Sequence, residues 1–332
     1  LTAGIKSHTA PNPPFRAGTK VSETPAYLIF NCGGIGDYVN WVTAIKYVIH
    51  SNPHLTGLVV VPPFFADLAK VLFRDLPARY TLYVSSNLET DERLKTDEAL
   101  ILCPDRKQFA NACGFSLFHL GFIYFNQSVI IPAGWNELPR IEGDEVSIDH
   151  LNLPENYAVI TTGGTAANRT LPPSVINEII NYCLSEGITP LFLGKEDIAP
   201  DHKAKHPEGV HYEKGVDLRE KTKLDEAAMI LARAKFVCGL DNGLLHIAAM
   251  SSTPIVAAFT SVNPILRVPP RRKGAVTAVL TPPESLQCRF CNSNMRYIAN
   301  HDFKDCIYKD NLCITQFTGD DFIKAIKSLG EP

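Results

Sequence analysis

The sequence predicts an α/β protein made of two parallel-sheet halves, on three observations. Continuous apolar runs of strand length alternate with amphipathic helical runs along nearly the whole chain. The alternation breaks once, over 126–153, and then restarts. Loops rich in glycine, threonine and acidic residues follow three of the apolar runs, and ligands of open α/β sheets bind beyond the carboxyl ends of strands.

In chain order, "AYLIFNC" (26–32) is the first strand, and the run from about Asp37 to His50 is the first amphipathic helix. "GLVVVPP" (57–63), "YTLYVSS" and "EALILCP" read as further strands, with "FADLAKVLF" as a helix between them. Two readings stand for "CGFSLFHLGFIYF" (113–125): a buried helix, or an aromatic surface that meets a membrane or an acceptor. "IPAGWNELPRIEGDE" has turn residues and acids without a helical period.

The second half opens with "YAVITTG" (157–163). In "PPSVINEIINYCLSEG", Val175, Ile176, Ile179, Ile180 and Leu184 mark one helical face, with prolines at its start and Gly187 at its end. "TPLFLG", the helix "LDEAAMILARA" (224–234), "FVCGLD", a short helix from Gly243 and "PIVAAFT" complete the alternation. The domain reading is a polar tail over 1–24, a first domain over 25–150, a second over 151–287, and a Cys-rich segment with a closing helix over 288–332.

Composition narrows the function. Hydrophobic residues at 45% and charged residues at 20% are the balance of a soluble globular protein. A net charge of −3 argues against a general binder of nucleic acid, and no run of 18 apolar residues is present to span a membrane. Residues 1–24 have no apolar signal-peptide core. Cys32, Cys103, Cys183 and Cys238 fall in or beside apolar elements, the usage of a reducing compartment, which points to the cytoplasm.

Three loops carry the chemistry. In "NCGGIGDYVN" the dinucleotide fingerprint fits poorly: counted from Gly34 through Gly36, the third glycine falls at Val39, and no acid ends the next strand. The glycines allow close approach of a ligand, and Asp37 is either a helix-terminal acid or the group that does the chemistry. In "TTGGTAANRTLPP", Thr162, Gly163 and Thr165 offer hydroxyl and N–H donors to an anion and Arg169 adds a forked cation; an ordinary turn with a surface arginine is the alternative. In "GLDNGLLHIAAM", Asp241 and Asn242 end a strand, and the helix from Gly243 and Leu244 presents N–H groups suited to a diphosphate. His246 falls in its first turn, positioned to donate to a phosphate oxygen; alone, Asp241 would be a cap and His246 a partly buried histidine.

Together these loops resemble the heptosyltransferase family (glycosyltransferase family 9): "GGIGDYVN" its "GD" loop, "TTGGTAANRTLPP" its phosphate loop, and "GLDNGLLHIAAMSSTPIVAAF" its D-x-G-x-x-H-x-A-A block. "DLREKTKLDEAAMILARAKFVCGLDNG" is similar to the stretch leading into that block, and the likeness runs over about 26–330. Arg169 stands where the family often has lysine, and Leu171 where an aromatic is common.

The resemblance implies a GT-B architecture, two Rossmann-like domains with parallel sheets facing across a cleft. The first binds the acceptor, at the loop of Gly34 and Gly36, and the second binds the nucleotide-activated sugar. It implies an inverting glycosyltransferase in which Asp37 is the general base. Arg169, the N–H groups of Gly243 and Leu244, and His246 would stabilise the leaving diphosphate without a catalytic metal, and Glu196 would lie near the ribose. ADP-heptose is the first candidate donor. The acceptor is a glycan, a lipid-linked core sugar or a protein, the lipid-linked case placing the enzyme at the inner membrane surface.

Cys288 and Cys291 in "CRFC", with Cys306 and Cys313, can hold structural Zn²⁺ or a single iron; two disulfides or unrelated thiols are the alternatives. The closing helix "GDDFIKAIKSL" is expected to pack back on the body, and the fold implies a crossing to the first domain. Two other functions compete: a GT-B-type nucleotide-sugar epimerase or hydrolase, and a non-enzymatic binding protein whose tail is a zinc ribbon with "PPRRKG" (269–274) as a basic handle.

Overall fold

The computed structural model describes residues 27–30, 34–85, 100–102, 115–126, 130–164, 167–194, 208–293, 306 and 308–330. Among the described residues, ten strands form two sheets, and every strand pair is parallel. The first sheet contains β1 (Tyr27–Phe30), β2 (Gly57–Val61), β3 (Tyr80–Val84) and β4 (Leu100–Leu102), in the order β3-β2-β1-β4. The second contains β5 (Tyr157–Ile160), β6 (Thr189–Phe192), β7 (Val216–Asp217), β8 (Val237–Leu240), β9 (Ile255–Ala258) and β10 (Thr277–Leu280), in the order β10-β9-β8-β5-β6-β7.

Both orders are Rossmann-type, and each reverses beside its own first strand. The reversals lie between β1 and β4, where Leu28 pairs Ile101, and between β5 and β8, where Ile160 pairs Cys238. A crevice opens beyond the carboxyl ends of strands at such a point. The loops starting at Gly34, Thr161 and Asp241 emerge at those two places.

Helix α1 (Ile35–Ser51) follows β1 and is buried from Tyr38 through Ile45, so it is central. It packs on α3 (Leu117–Asn126), where Trp41 Nε1 donates to Leu117 O at 3.1 Å and lies against Gly121. Leu117, Phe118, Leu120, Phe122 and Phe125 are buried, so the described part of the 113–125 run is the buried helix of the first reading, while Phe115 just before it is exposed. No helix among the described residues is long and apolar enough to cross a membrane.

In the second half, α4 (Pro173–Ser185) covers one face of the sheet, and α5 (Leu224–Arg233) and α6 (Gly243–Ala248) cover the other. Gly187, at φ +66°, makes the left-handed turn after α4 that a side chain would disfavour. The halves are docked through α1 on α6 and through α2 (Ala66–Leu72) on α5, and one apolar core runs through the contact. The segment 130–150 binds both sides. Glu137 O accepts from Thr43 Oγ1 at 2.8 Å, Ile141 N donates to Met250 O at 3.0 Å, and Gly143 O accepts from Arg233 Nε at 2.6 Å.

The closing helix, α9 (Gly319–Ser328), packs on α4, β9 and β10. The expected crossing to the first domain is therefore corrected: Phe322, Ala325 and Ile326 bury into the second half's own core beside Val175, Ile179 and Ile180.

Candidate active site between the two halves

Asp37 is the third residue of α1, and its Oδ2 accepts the Gly34 N–H at 2.7 Å. This acid does satisfy the helix start, as the first sequence alternative allowed. Its helix meets the second half here, since the preceding Gly36 lies against the His246 ring, and the Asp37 charge is within electrostatic reach of the Arg169 guanidinium.

Asn242, not Asp241, caps α6. Its Oδ1 accepts from Leu245 N at 3.1 Å, while its Nδ2 donates to Thr161 Oγ1 at 3.1 Å and Gly163 O at 3.2 Å. One side chain thus starts the helix and ties it to the loop after β5. Gly243 and Leu244 form the first positions of α6, half-buried at the cleft.

Released from capping, Asp241 is a buried charge hub, 5% exposed. Its Oδ1 lies 3.5 Å from His246 Nε2, and its Oδ2 lies 3.8 Å from Arg169 Nη1. Burial opposes its ionisation. The hydrogen bond from His246 and the charges of Arg267 and Arg169 outweigh burial and hold the carboxyl well below the usual range. Burial in turn pulls the Arg169 guanidinium down, against the pull of Asp241 and Asp37 and with the push of Arg267.

His246 is 3% exposed, and its Nδ1 lies 3.0 Å from Asn40 Nδ2 on α1. Both ring nitrogens therefore face protein groups in this structure. Thr162 is also buried, and its hydroxyl accepts from Tyr212 OH at 3.3 Å. Thr165 and Glu196 lie outside the described residues. So Asp37, Arg169, Asp241, Asn242, Gly243, Leu244 and His246 gather where α1 meets α6.

Sequence reasoning missed Asn40, Arg267 and Tyr212. Asn40 has one signal, its place one turn beyond Asp37 on the same helical face. Arg267 closes α7 (Pro264–Arg267) and Tyr212 precedes β7, and neither belongs to a loop motif.

The basic handle is partly structural. Arg271 Nη1 donates to Val276 O at 2.6 Å and Thr277 Oγ1 at 3.0 Å, and its Nη2 to Ser251 O at 2.9 Å and Thr253 O at 2.6 Å. Burial lowers its guanidinium to about 10.

Cys288, Cys291, Cys306 and Cys313 are free thiols. Burial raises Cys291 to about 11 and Cys313 to about 12, and the charges of the neighbouring cysteines add to both shifts. The four thus lie within electrostatic reach of one another. Among the described residues, no three or more His, Cys, Asp or Glu side chains are arranged to hold a metal ion. The knob is anchored near the cleft. Phe290 N donates to Thr260 O at 3.0 Å, Thr260 Oγ1 donates to Asn168 O at 2.5 Å, and α8 (Leu312–Thr315) packs on the turn Ala167–Arg169.

The profile of glycosyltransferase family 9 (heptosyltransferase) matches residues 140–294. Lipopolysaccharide heptosyltransferase 1 of Escherichia coli K12 is 28% identical over 131 residues, 38% of this chain and 40% of that protein. The match thus spans about 40% of the length of this curated relative. By structure, the chain is similar to the dodecameric iron-containing heptosyltransferase TibC in complex with ADP-D-beta-D-heptose, with a TM-score of 0.67 and 14% identity over 95% of this chain and 80% of TibC. TibC comes from enterotoxigenic E. coli H10407. It is also similar to E. coli ADP-heptose heptosyltransferase II, with a TM-score of 0.61 and 14% identity over 92% of this chain and 98% of that one. At these identities the structural likeness bears on the fold alone. Residues 140–294 thus match the glycosyltransferase family 9 profile, and over nearly its whole length the chain shares the two-sheet GT-B fold of these neighbours.

Proposed function

We propose that the protein is an inverting glycosyltransferase that moves a sugar from a nucleotide-diphosphate donor to an acceptor hydroxyl. The observation that carries this reading is the docking of the two halves at this point: α1, which carries Asp37, packs on α6 with Gly36 against the His246 ring, beside the Arg169–Asp241 pair at 3.8 Å. Asp37 takes the acceptor's hydroxyl proton, and the oxygen attacks the anomeric carbon from the face opposite the leaving group. The bond to the diphosphate oxygen breaks with its electron pair, so negative charge grows on the diphosphate. Arg169, Arg267 and the N–H groups of Gly243 and Leu244 receive that charge, with Asp241 holding the cations in place. His246 joins this set through its 3.5 Å contact with Asp241.

ADP-heptose is the donor we favour, because TibC was solved with ADP-D-beta-D-heptose and the second neighbour is an ADP-heptose enzyme. The acceptor class is a glycan, a lipid-linked sugar or a protein. Free thiols fit a reducing compartment, hence a cytoplasmic enzyme that reaches lipid-linked acceptors at the inner membrane surface. Cys288, Cys291, Cys306 and Cys313 would hold a structural zinc or iron ion, a reading supported by the nearness of the four free thiols and by an iron-containing neighbour. Such an ion would fix the fold of the knob against the Arg169 turn.

Thermal shifts with ADP-heptose, ADP, and UDP-, GDP- and dTDP-sugars test the reading, since a ligand of the native state raises its apparent stability. A shift with ADP-heptose and ADP alone supports it; no shift with any nucleotide in folded protein removes it.

A further inference from the structure

The Asn40 amide spans the contact between the halves and has a fixed orientation. Its Nδ2 lies 2.7 Å from Gly36 O and 3.0 Å from His246 Nδ1. A carbonyl oxygen only accepts, so the nitrogen must face Gly36, since a flipped amide would set two oxygens against each other. With both its N–H groups given out, Asn40 can only donate to His246 Nδ1. That nitrogen is therefore unprotonated, the ring proton sits on Nε2, and Nε2 faces the Asp241 carboxylate at 3.5 Å.

Turning the ring over would set Cδ2 against Asn40 Nδ2 and Cε1 against the Asp241 carboxylate, losing both polar contacts. A Cβ built on Gly36 would lie 2.7 Å from His246 Cδ2, so the imidazole rests directly on the backbone of α1. The other carboxylate oxygen of Asp241 lies 3.8 Å from Arg169, the Arg267 charge also acts on Asp241, and Asp37 follows Gly36 on α1; among the described residues these are the charged groups named near the ring. Asn40 Oδ1 is buried with no partner among the described residues, so the amide is placed for its nitrogen.

We propose that Asn40 is a positioning residue. From the acceptor-side half it holds His246 in the Nε2–H form, so that the imidazole is a fixed donor to Asp241 and the donor site is complete only when the halves are docked. The consequence for donor affinity rests on the reading of this cleft as a nucleotide-sugar site; the tautomer does not.

Long-range ¹H–¹⁵N spectra of the full chain labelled at its ten histidines read the tautomer directly, with His246→Gln identifying the signal. At pH 7.5 the wild-type ring is expected to show Nδ1 bare and Nε2 protonated. An Nδ1–H tautomer or an imidazolium would overturn the proposal, whatever the variants do. Asn40→Asp replaces the donor with an acceptor and should move a proton onto Nδ1. Asn40→Ala should release the ring to exchange between tautomers and weaken ADP binding about tenfold. A spectrum unchanged in folded Asn40→Ala or Asn40→Asp would also overturn it. If ADP fails to bind the wild type, the donor-site reading falls, and the spectrum alone decides the tautomer.

Discussion

The helix-start bond of Asp37 and its proposed role as base can be separated by a single substitution. Asp37→Asn keeps an oxygen for the Gly34 N–H but cannot take a proton. Transfer should fall about 10²–10⁴-fold with ADP affinity within about twofold of wild type; equal losses of both would make the residue a structural cap only. Asp241 makes a different prediction. A carboxyl depressed in the folded state contributes stability that is fully present above its unfolded value of about 4. That stability is lost as pH falls through the lower folded value. Denaturant curves from pH 7 to pH 2 should therefore decline less steeply below about pH 4 for Asp241→Asn than for wild type. Parallel curves would show that His246 and the arginines do not stabilise the carboxylate. Asp37, Arg169 and Asp241 were legible in the sequence because each falls in the stretch that follows a strand. Asn40 and Arg267 were not, since their roles arise only when two segments far apart in sequence meet.

Helix α6 has six residues and depends on its cap more than a longer helix would. Asn242→Ala removes the bond to Leu245 N and also unties the loop at Thr161 and Gly163. A stability loss of about 1 kcal/mol is expected by thermal melting. ADP affinity should fall with it, because the N–H groups proposed to meet the diphosphate are the ones this cap orients. Lost stability with unchanged affinity would place the diphosphate elsewhere. Strands and their loops were readable because parallel strands are apolar throughout and end in glycine and threonine. The identity of the cap was not: Asp241 and Asn242 are adjacent and both suit the role, and burial with Arg169 and His246 decided between them. The placement of α9 was equally hidden, since an amphipathic face does not state which core will receive it.

At the scale of the whole molecule, the cysteine knob lies against the turn that carries Arg169. If the knob is held by a metal, chelation should lower both the melting temperature and ADP affinity, and elemental analysis should show the metal leaving in parallel. Unchanged affinity after full metal loss would confine the knob to a local role. The two-half division was legible from the break near residue 150, yet the docking of the halves was not, because it rests on absent side chains. A Cβ on Gly36 would strike His246, and one on Gly243 would lie 2.7 Å from the Ile35 Cβ. A saturation scan scored by turnover should therefore find these two glycines as intolerant as Asp37. A map of the active site drawn from such a scan would colour in two positions with no side chain to offer chemistry, and their sensitivity would measure how tightly the jaws must shut.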